Sequence, residues 1–167
     1  MEKEFNEIKW MQDYVSKPID ISSLDNIRNF LLFWNIFESK ICRNYANAES
    51  ICSKVDDLVN KRKFNFEDYK ESYEYFKNRY IESGKVNYRF YYLSFRRPDK
   101  EDLVRRVLES DNCNEREVIK ALLIIVYRFR NNLFHGKKRI ETLDTQIDNF
   151  KITNKLLATV IEQYDEP

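Results

Sequence analysis

The chain has 167 residues, with 29 Lys and Arg against 28 Asp and Glu for a formal net charge of +1. That balance excludes a protein that meets nucleic acid through a global basic field, so any contact with RNA rests on a local patch. Two glycines and three prolines are too few for the tight turns of a β-sandwich or barrel, while 43% hydrophobic residues supply a core, so the composition predicts one all-α domain over residues 1–167, a helical bundle.

Residues 5–15 carry Phe5, Ile8 and either Trp10 or Met11 at spacings that suit the inner side of a short helix, ended before Pro18. Ser22-Ser23-Leu24-Asp25 reads as an N-cap. Behind it Ile27, Phe30, Leu31, Trp34, Phe37 and Ile41 recur at three- and four-residue intervals, the apolar stripe of a long helix. Residues 46–59 predict a second helix with Ile51, Val55 and Leu58 inward, and 66–82 a third with Tyr69, Tyr73, Phe76 and Tyr80 on one face. Gly84, in the turn Ser83-Gly84-Lys85, suits the position just past that helix. The aromatics of Tyr88–Phe95 favour a strand by propensity, but eight residues without a partner strand argue against one.

Pro98 opens a short helix to Glu109, and Asn114 caps a long one over 115–135. Val118, Ala121, Leu122, Ile125 and Phe129 line one face of the long helix, and Leu123, Ile124 and Val126 extend the apolar surface nearly all round. Such a helix is either central in the bundle or covered on its far side by a second chain. Gly136 stops it, and a last helix over 140–164 buries Leu143, Ile147, Phe150, Leu156, Leu157 and Val160.

Met1-Glu2-Lys3-Glu4-Phe5 lacks the apolar stretch of a signal peptide, and no apolar run reaches the length of a membrane span. The expectation is a cytoplasmic protein without membrane contact. Cys42, Cys52 and Cys113 are scattered and the chain has one histidine, which does not make a zinc-ligand set, so neither metal nor other cofactor is expected.

The chemistry concentrates in Arg130-Asn131-Asn132-Leu133-Phe134-His135-Gly136, which ends the long helix and contains that histidine. On a regular helix Asn131 and His135 lie within about 40° of one another, whereas Arg130 and His135 are about 140° apart. Metal-free RNA cleavage needs a base for the 2′-OH, an acid for the leaving 5′-oxygen, and a cation for the phosphorane. His135 suits proton transfer and Arg130 the cation. One histidine does not easily supply both acid and base, so two chains in a two-fold dimer, joined around the long apolar helix, would complete the set. The plainer reading is that Arg130 and His135 cap helix carbonyls and bind surface carboxylates.

Residues 127–136 are similar to the signature of the HEPN superfamily, an Arg, a polar residue and then a His at the end of a bundle helix. Phe30–Glu38 resembles that family's aromatic early helix with its acidic residue. The resemblance covers about 22–60 and 114–164 and leaves 61–113 as an aromatic-rich helical insertion. It implies an all-α homodimer with the motifs facing each other and metal-independent endoribonuclease activity. It further implies a toxin or anti-phage defence role, sometimes beside a nucleotidyltransferase-like antitoxin partner. By it, Arg130 and His135 are catalytic and Asn131 is the motif's polar position. Glu38, beside Trp34 and Ile41, needs a cation if buried, for which Arg128 or Arg130 is the candidate.

Lys137, Lys138 and Arg139 suit RNA phosphates or a solvated turn. Arg96-Arg97 and Arg105-Arg106 suit a basic path or ordinary surface, and the tyrosines of 69–92 suit core packing better than base stacking. The alternatives to a nuclease are a non-catalytic HEPN-like module that binds RNA, a nucleotide or a partner protein, and a purely structural helical dimer.

Overall fold

The computed structural model describes residues 4–61, 65–136 and 145–165, excepting the side chains of 21–23. Among them are eight α-helices and one short hairpin: α1 (Glu7–Val15), α2 (Ile21–Lys40), α3 (Ala48–Asn60), α4 (Glu67–Tyr80), β1 (Ile81–Glu82), β2 (Lys85–Val86), α5 (Tyr88–Tyr91), α6 (Glu101–Glu109), α7 (Glu115–Phe134) and α8 (Ile147–Asp165). A 3-10 turn, Arg97–Asp99, leads into α6. The protein is an all-α bundle. None of the described helices is long and apolar enough to cross a membrane.

The axis of the bundle is α7. Asn114 caps it, its Oδ1 accepting from the Glu117 amide at 2.8 Å, and Gly136, at φ 64°, ends it. Packed along it are α3, α4 and α6. Residues Ala121 through Val126 are all buried, on every side of the helix. Their cover comes from this chain alone. A second chain is therefore not what buries the middle of α7, and a dimer joined around that apolar stretch is ruled out by its enclosure.

The long helix α2 pairs with α8, with Phe30 against Phe150 at 5.3 Å between ring centroids. Trp34 reaches α7 through Tyr127 at 6.2 Å. Of the expected stripe Ile27, Phe30, Trp34, Phe37 and Ile41 are buried, and Leu31 is partly so. In α3, Ile51, Val55 and Leu58 point inward as the spacing predicts, behind a capping box between Asn47 and Ser50.

Residues 65–113 belong to the same core as the rest. Phe76 meets Phe129 at 5.8 Å, the Tyr69 hydroxyl donates to Gln163 Oε1 at 2.7 Å, and the Tyr75 hydroxyl to Asn149 Oδ1 at 2.7 Å. What the sequence presents as an insertion thus fills the wall between α7 and α8.

Of three local expectations, two change. The first concerns α1, which buries none of its residues and leaves Trp10 at 54% exposure, stacked on Tyr14 and not on the bundle. Ile8, Met11 and Val15 are half-buried, and Trp10 and Tyr14 are turned outward. Second, Gly84 is not a helix terminator, because α4 has ended at Tyr80. Ser83 (φ 51°) and Gly84 (φ 76°) form the two-residue turn between β1 and β2, where positive φ at both central residues matches the strand twist. Glu109 pins this hairpin, accepting from the Val86 amide and the Lys85 ammonium. Third, Tyr88–Phe95 holds the short helix α5 followed by turns, in keeping with the lack of a partner strand. Ile140 and Leu143 lie outside the described residues, and α8 is seen from Ile147.

Burial of the thiols has a pH consequence. Cys42 is pushed from its ordinary 9.0 to about 12 by burial, with Glu38 adding to the effect, and burial raises Cys52 as well. Between pH 9 and 12 the native state keeps a proton that the unfolded chain has lost. Stability therefore falls as pH rises through that window, by up to about 1.4 kcal/mol per pH unit for each such group. Tyr69 and Tyr80, raised by burial, act in the same direction. The expected result is a lower urea midpoint at pH 10 than at pH 8, with a shallower fall in Cys42→Ala. Equal midpoints at the two values would contradict this account.

Candidate active site

Three polar side chains, Arg128, Asn131 and Asn132, are buried on the otherwise apolar C-terminal half of α7. An uncompensated polar group there costs about 1–3 kcal/mol, more if charged, so each needs a partner. Arg128 is 1% exposed and has four. Its Nη1 meets Asp99 Oδ2 at 2.7 Å, its Nε donates to the Leu93 carbonyl at 3.1 Å, and its Nη2 to the Ser94 carbonyl and Asn132 Oδ1. Asn132 Nδ2 donates to the Tyr92 and Leu93 carbonyls at 3.2 and 3.0 Å. Burial lowers the Arg128 guanidinium and the Asp99 charge opposes it, but a guanidinium stays charged in either case. Arg128 is thus a structural clamp that hangs residues 92–99 on α7, and it is not free to support a reaction.

Glu38 does not pair with Arg128 or Arg130. Its Oε2 accepts from the Trp34 indole at 3.1 Å and its Oε1 from the Ala46 amide at 3.3 Å, so it fixes the turn after α2. Two hydrogen-bond donors take the place of the expected cation.

Arg130 is different. It makes no ion pair with a described carboxylate. Its Nη1 donates to Asn131 Oδ1 at 3.1 Å and its guanidinium lies 4.8 Å from the Phe134 ring centroid, one turn on. Its Nε is buried without a hydrogen-bond partner. Stacking on Phe134 and the hydrogen bond donated to Asn131 hold the planar cation in place, and that leaves N–H groups for an oxyanion.

His135 occupies the C-cap and is exposed, with its backbone N–H still bonded to the Asn131 carbonyl at 2.9 Å. The helix is regular to this point, so its end does not fray to swing Arg130 toward the imidazole. Within one chain the two side chains point about 140° apart. Beyond them Phe134 is 60% exposed, an apolar ring in water at the helix end.

Lys137, Lys138 and Arg139 lie outside the described residues. Arg105 and Arg106 are taken up by Glu101 and Glu117, which removes them from a basic path, while Arg96 and Arg97 are exposed. No group of three or more His, Cys, Asp or Glu able to hold a metal occurs among the described residues. Compared with known proteins, the chain matches no family model, no curated protein and no solved structure.

Sequence reasoning missed two partners that shape this end of the helix. Phe134 was readable as the fourth residue after Arg130, the spacing at which helical side chains meet. Asp99, distant in sequence and beside a proline, carries no local sign that it will neutralise Arg128.

Proposed function

We infer that the C-terminal end of α7 is half of an RNA-cleaving active site and that a second copy of the chain completes it. The observation that carries this reading is Arg130. It is a positioned guanidinium without a described carboxylate partner and with an unpaired buried Nε, five residues before the chain's one, exposed histidine. Arg130-Asn131 followed by His135 also resembles the HEPN signature.

The reaction is a transesterification. An imidazole takes the 2′-OH proton as the 2′-oxygen attacks phosphorus, and the bond to the 5′-oxygen breaks as a second group protonates it. The products are a 2′,3′-cyclic phosphate and a 5′-OH. His135 of each copy supplies one proton transfer and Arg130 the charge that stabilises the phosphorane. Because Arg130 and His135 of one chain face apart, the composite site takes these groups from both copies. The enclosed middle of α7 leaves its exposed end, with Phe134, as the pairing surface. Lys137, Lys138 and Arg139, next in sequence, hold flanking phosphates. The biological setting this implies is a cytoplasmic toxin or anti-phage effector, held in check by an antitoxin such as a nucleotidyltransferase-like protein.

The divergence of Arg130 and His135 also favours a second reading, a HEPN-like module that binds RNA, a nucleotide or a partner protein without cleaving. Incubating purified protein with single-stranded RNA in EDTA separates the two. The nuclease yields fragments with cyclic phosphate ends, and intact RNA after long incubation rejects it.

A further inference from the structure

The tyrosines between 69 and 92 divide sharply. Tyr69 and Tyr80 are core residues at 1% and 3% exposure, whereas Tyr88, Tyr91 and Tyr92 stand at 62%, 62% and 72%. Three large rings exposed within five residues is an unusual use of aromatic surface on a segment that is not loose. Phe90 and Leu93 sink into the core beneath them, and Asn87 ties the start of α5 to the Arg79 carbonyl at 2.9 Å. From the other side the Arg128 and Asn132 clamp grips the carbonyls of Tyr92, Leu93 and Ser94. The rings are therefore presented on a fixed base.

Cations accompany them. The Arg89 guanidinium lies 5.4 Å from the Tyr88 ring centroid, whereas that of Arg105, 5.7 Å from Tyr91, is held by Glu101 and adds no free charge. Exposed Arg96 and Arg97 follow without an ion pair to any described residue. The one carboxylate between them and α6, Asp99, is buried and neutralised by Arg128. Rings mostly exposed to water beside unpaired guanidinium groups are what single-stranded nucleic acid needs: the bases stack and the phosphates meet fixed cations. A duplex, with its bases already stacked, gains only the charge.

The shelf also sits beside the histidine. Asn132, which binds the Tyr92 carbonyl, is three residues before His135, about 4.5 Å along the helix axis and about 60° around it. Arg130 points away from this side. A strand on the rings would run toward His135.

We propose that the Tyr88–Arg97 shelf, clamped to α7 by Arg128 and Asn132, is a single-stranded RNA-binding platform that feeds the strand past His135. The inference deepens the nuclease reading and rests on it for the choice of RNA as the polymer.

Its test is binding, measured apart from cleavage. A fluorescein-labelled 12-nucleotide single-stranded RNA is titrated with His135→Ala protein and read by anisotropy, and the same RNA annealed to its complement serves as the duplex probe. The single strand binds saturably and at least tenfold more tightly than the duplex. Tyr88→Ala with Tyr92→Ala weakens the single-strand complex at least about tenfold, while Tyr88→Phe with Tyr92→Phe keeps the affinity, because stacking uses the ring and not the hydroxyl. Replacing Arg96 and Arg97 by Gln lowers the salt dependence of binding. No saturable binding, equal binding of single strand and duplex, or an alanine pair that binds like its parent overturns the platform. Each can occur while the wild-type protein still cleaves RNA. Conversely, strand-selective binding lost in the alanine pair, with no cleavage by wild type, overturns the nuclease alone.

Discussion

His135→Ala slows RNA cleavage in EDTA by about 10²–10⁴-fold, the range for loss of one positioned proton-transfer group. Arg130→Ala brings a loss of similar order by removing the cation aimed at the phosphorane. Arg130→Lys recovers little, because a point charge replaces a planar fork held by Phe134 and Asn131. The double alanine variant is hardly slower than the worse single one, as expected of groups that act together. None of this follows from unfolding. The His135 side chain is exposed, so thermal melts of wild type and His135→Ala should coincide. Initial rates on a labelled oligoribonucleotide, read beside those melts, check the prediction. A His135→Ala protein as fast as wild type removes histidine from the chemistry.

The largest stability effect lies one turn away from the site. Arg128→Ala leaves Asp99 as a buried carboxylate without its countercharge, strips the Ser94 carbonyl of its Arg128 donor and leaves the Leu93 carbonyl with Asn132 alone. Removing one member of a buried pair costs about 3–5 kcal/mol, and in a domain of this size each kcal/mol lowers Tm by about 2–4 °C. The expected fall is thus roughly 6–20 °C by differential scanning calorimetry. Asp99→Ala falls in the same range, since it strands the guanidinium instead. The two singles do not add: the double variant regains part of the loss, because no bare charge is left inside. A shift under 2 °C in Arg128→Ala would mean that the clamp contributes nothing and that the shelf is held by Phe90 and Leu93 alone. Because the clamp suspends residues 92–99, Arg128→Ala also loosens single-stranded RNA binding even where the bundle survives.

The long helices were legible because each answers to one period. In α2 and α3 the buried residues recur at three and four, in α7 the apolar run is buried all round as its sequence suggests, and Asn114 announces the start of α7 as a cap. The same periodicity was less telling at α1, where no residue is fully buried and, of its apolar side chains, Ile8, Met11 and Val15 are only half-covered. Spacing describes a helix's own faces and is silent on what lies opposite. It was silent for the same reason on α7, which suited either a central helix or a dimer seam until the packing of α3, α4 and α6 enclosed it. Gly84 marked a turn correctly but of the wrong kind, since positive φ serves a helix end and a hairpin equally.

At the candidate site, the motif at 130–135 and its place at a helix end were written in local sequence. What Arg128 and Glu38 do was not. Arg128 looks like Arg130 along the chain, yet two residues of helix turn it about 160° away, into the bundle, where Asp99 waits 29 residues upstream. Glu38 found an indole and an amide, partners that no charge-matching rule selects.

Under the proposed nuclease reading, Arg130 and His135 form a working site only when two chains bring their helix ends together. Specific RNA-cleaving activity in EDTA, measured over a dilution series with the mass followed by light scattering, tests it most directly. The account predicts activity per chain that rises in proportion to concentration while monomer predominates and levels off as dimer forms. Undiminished activity per chain at concentrations where the protein is monomeric would contradict it.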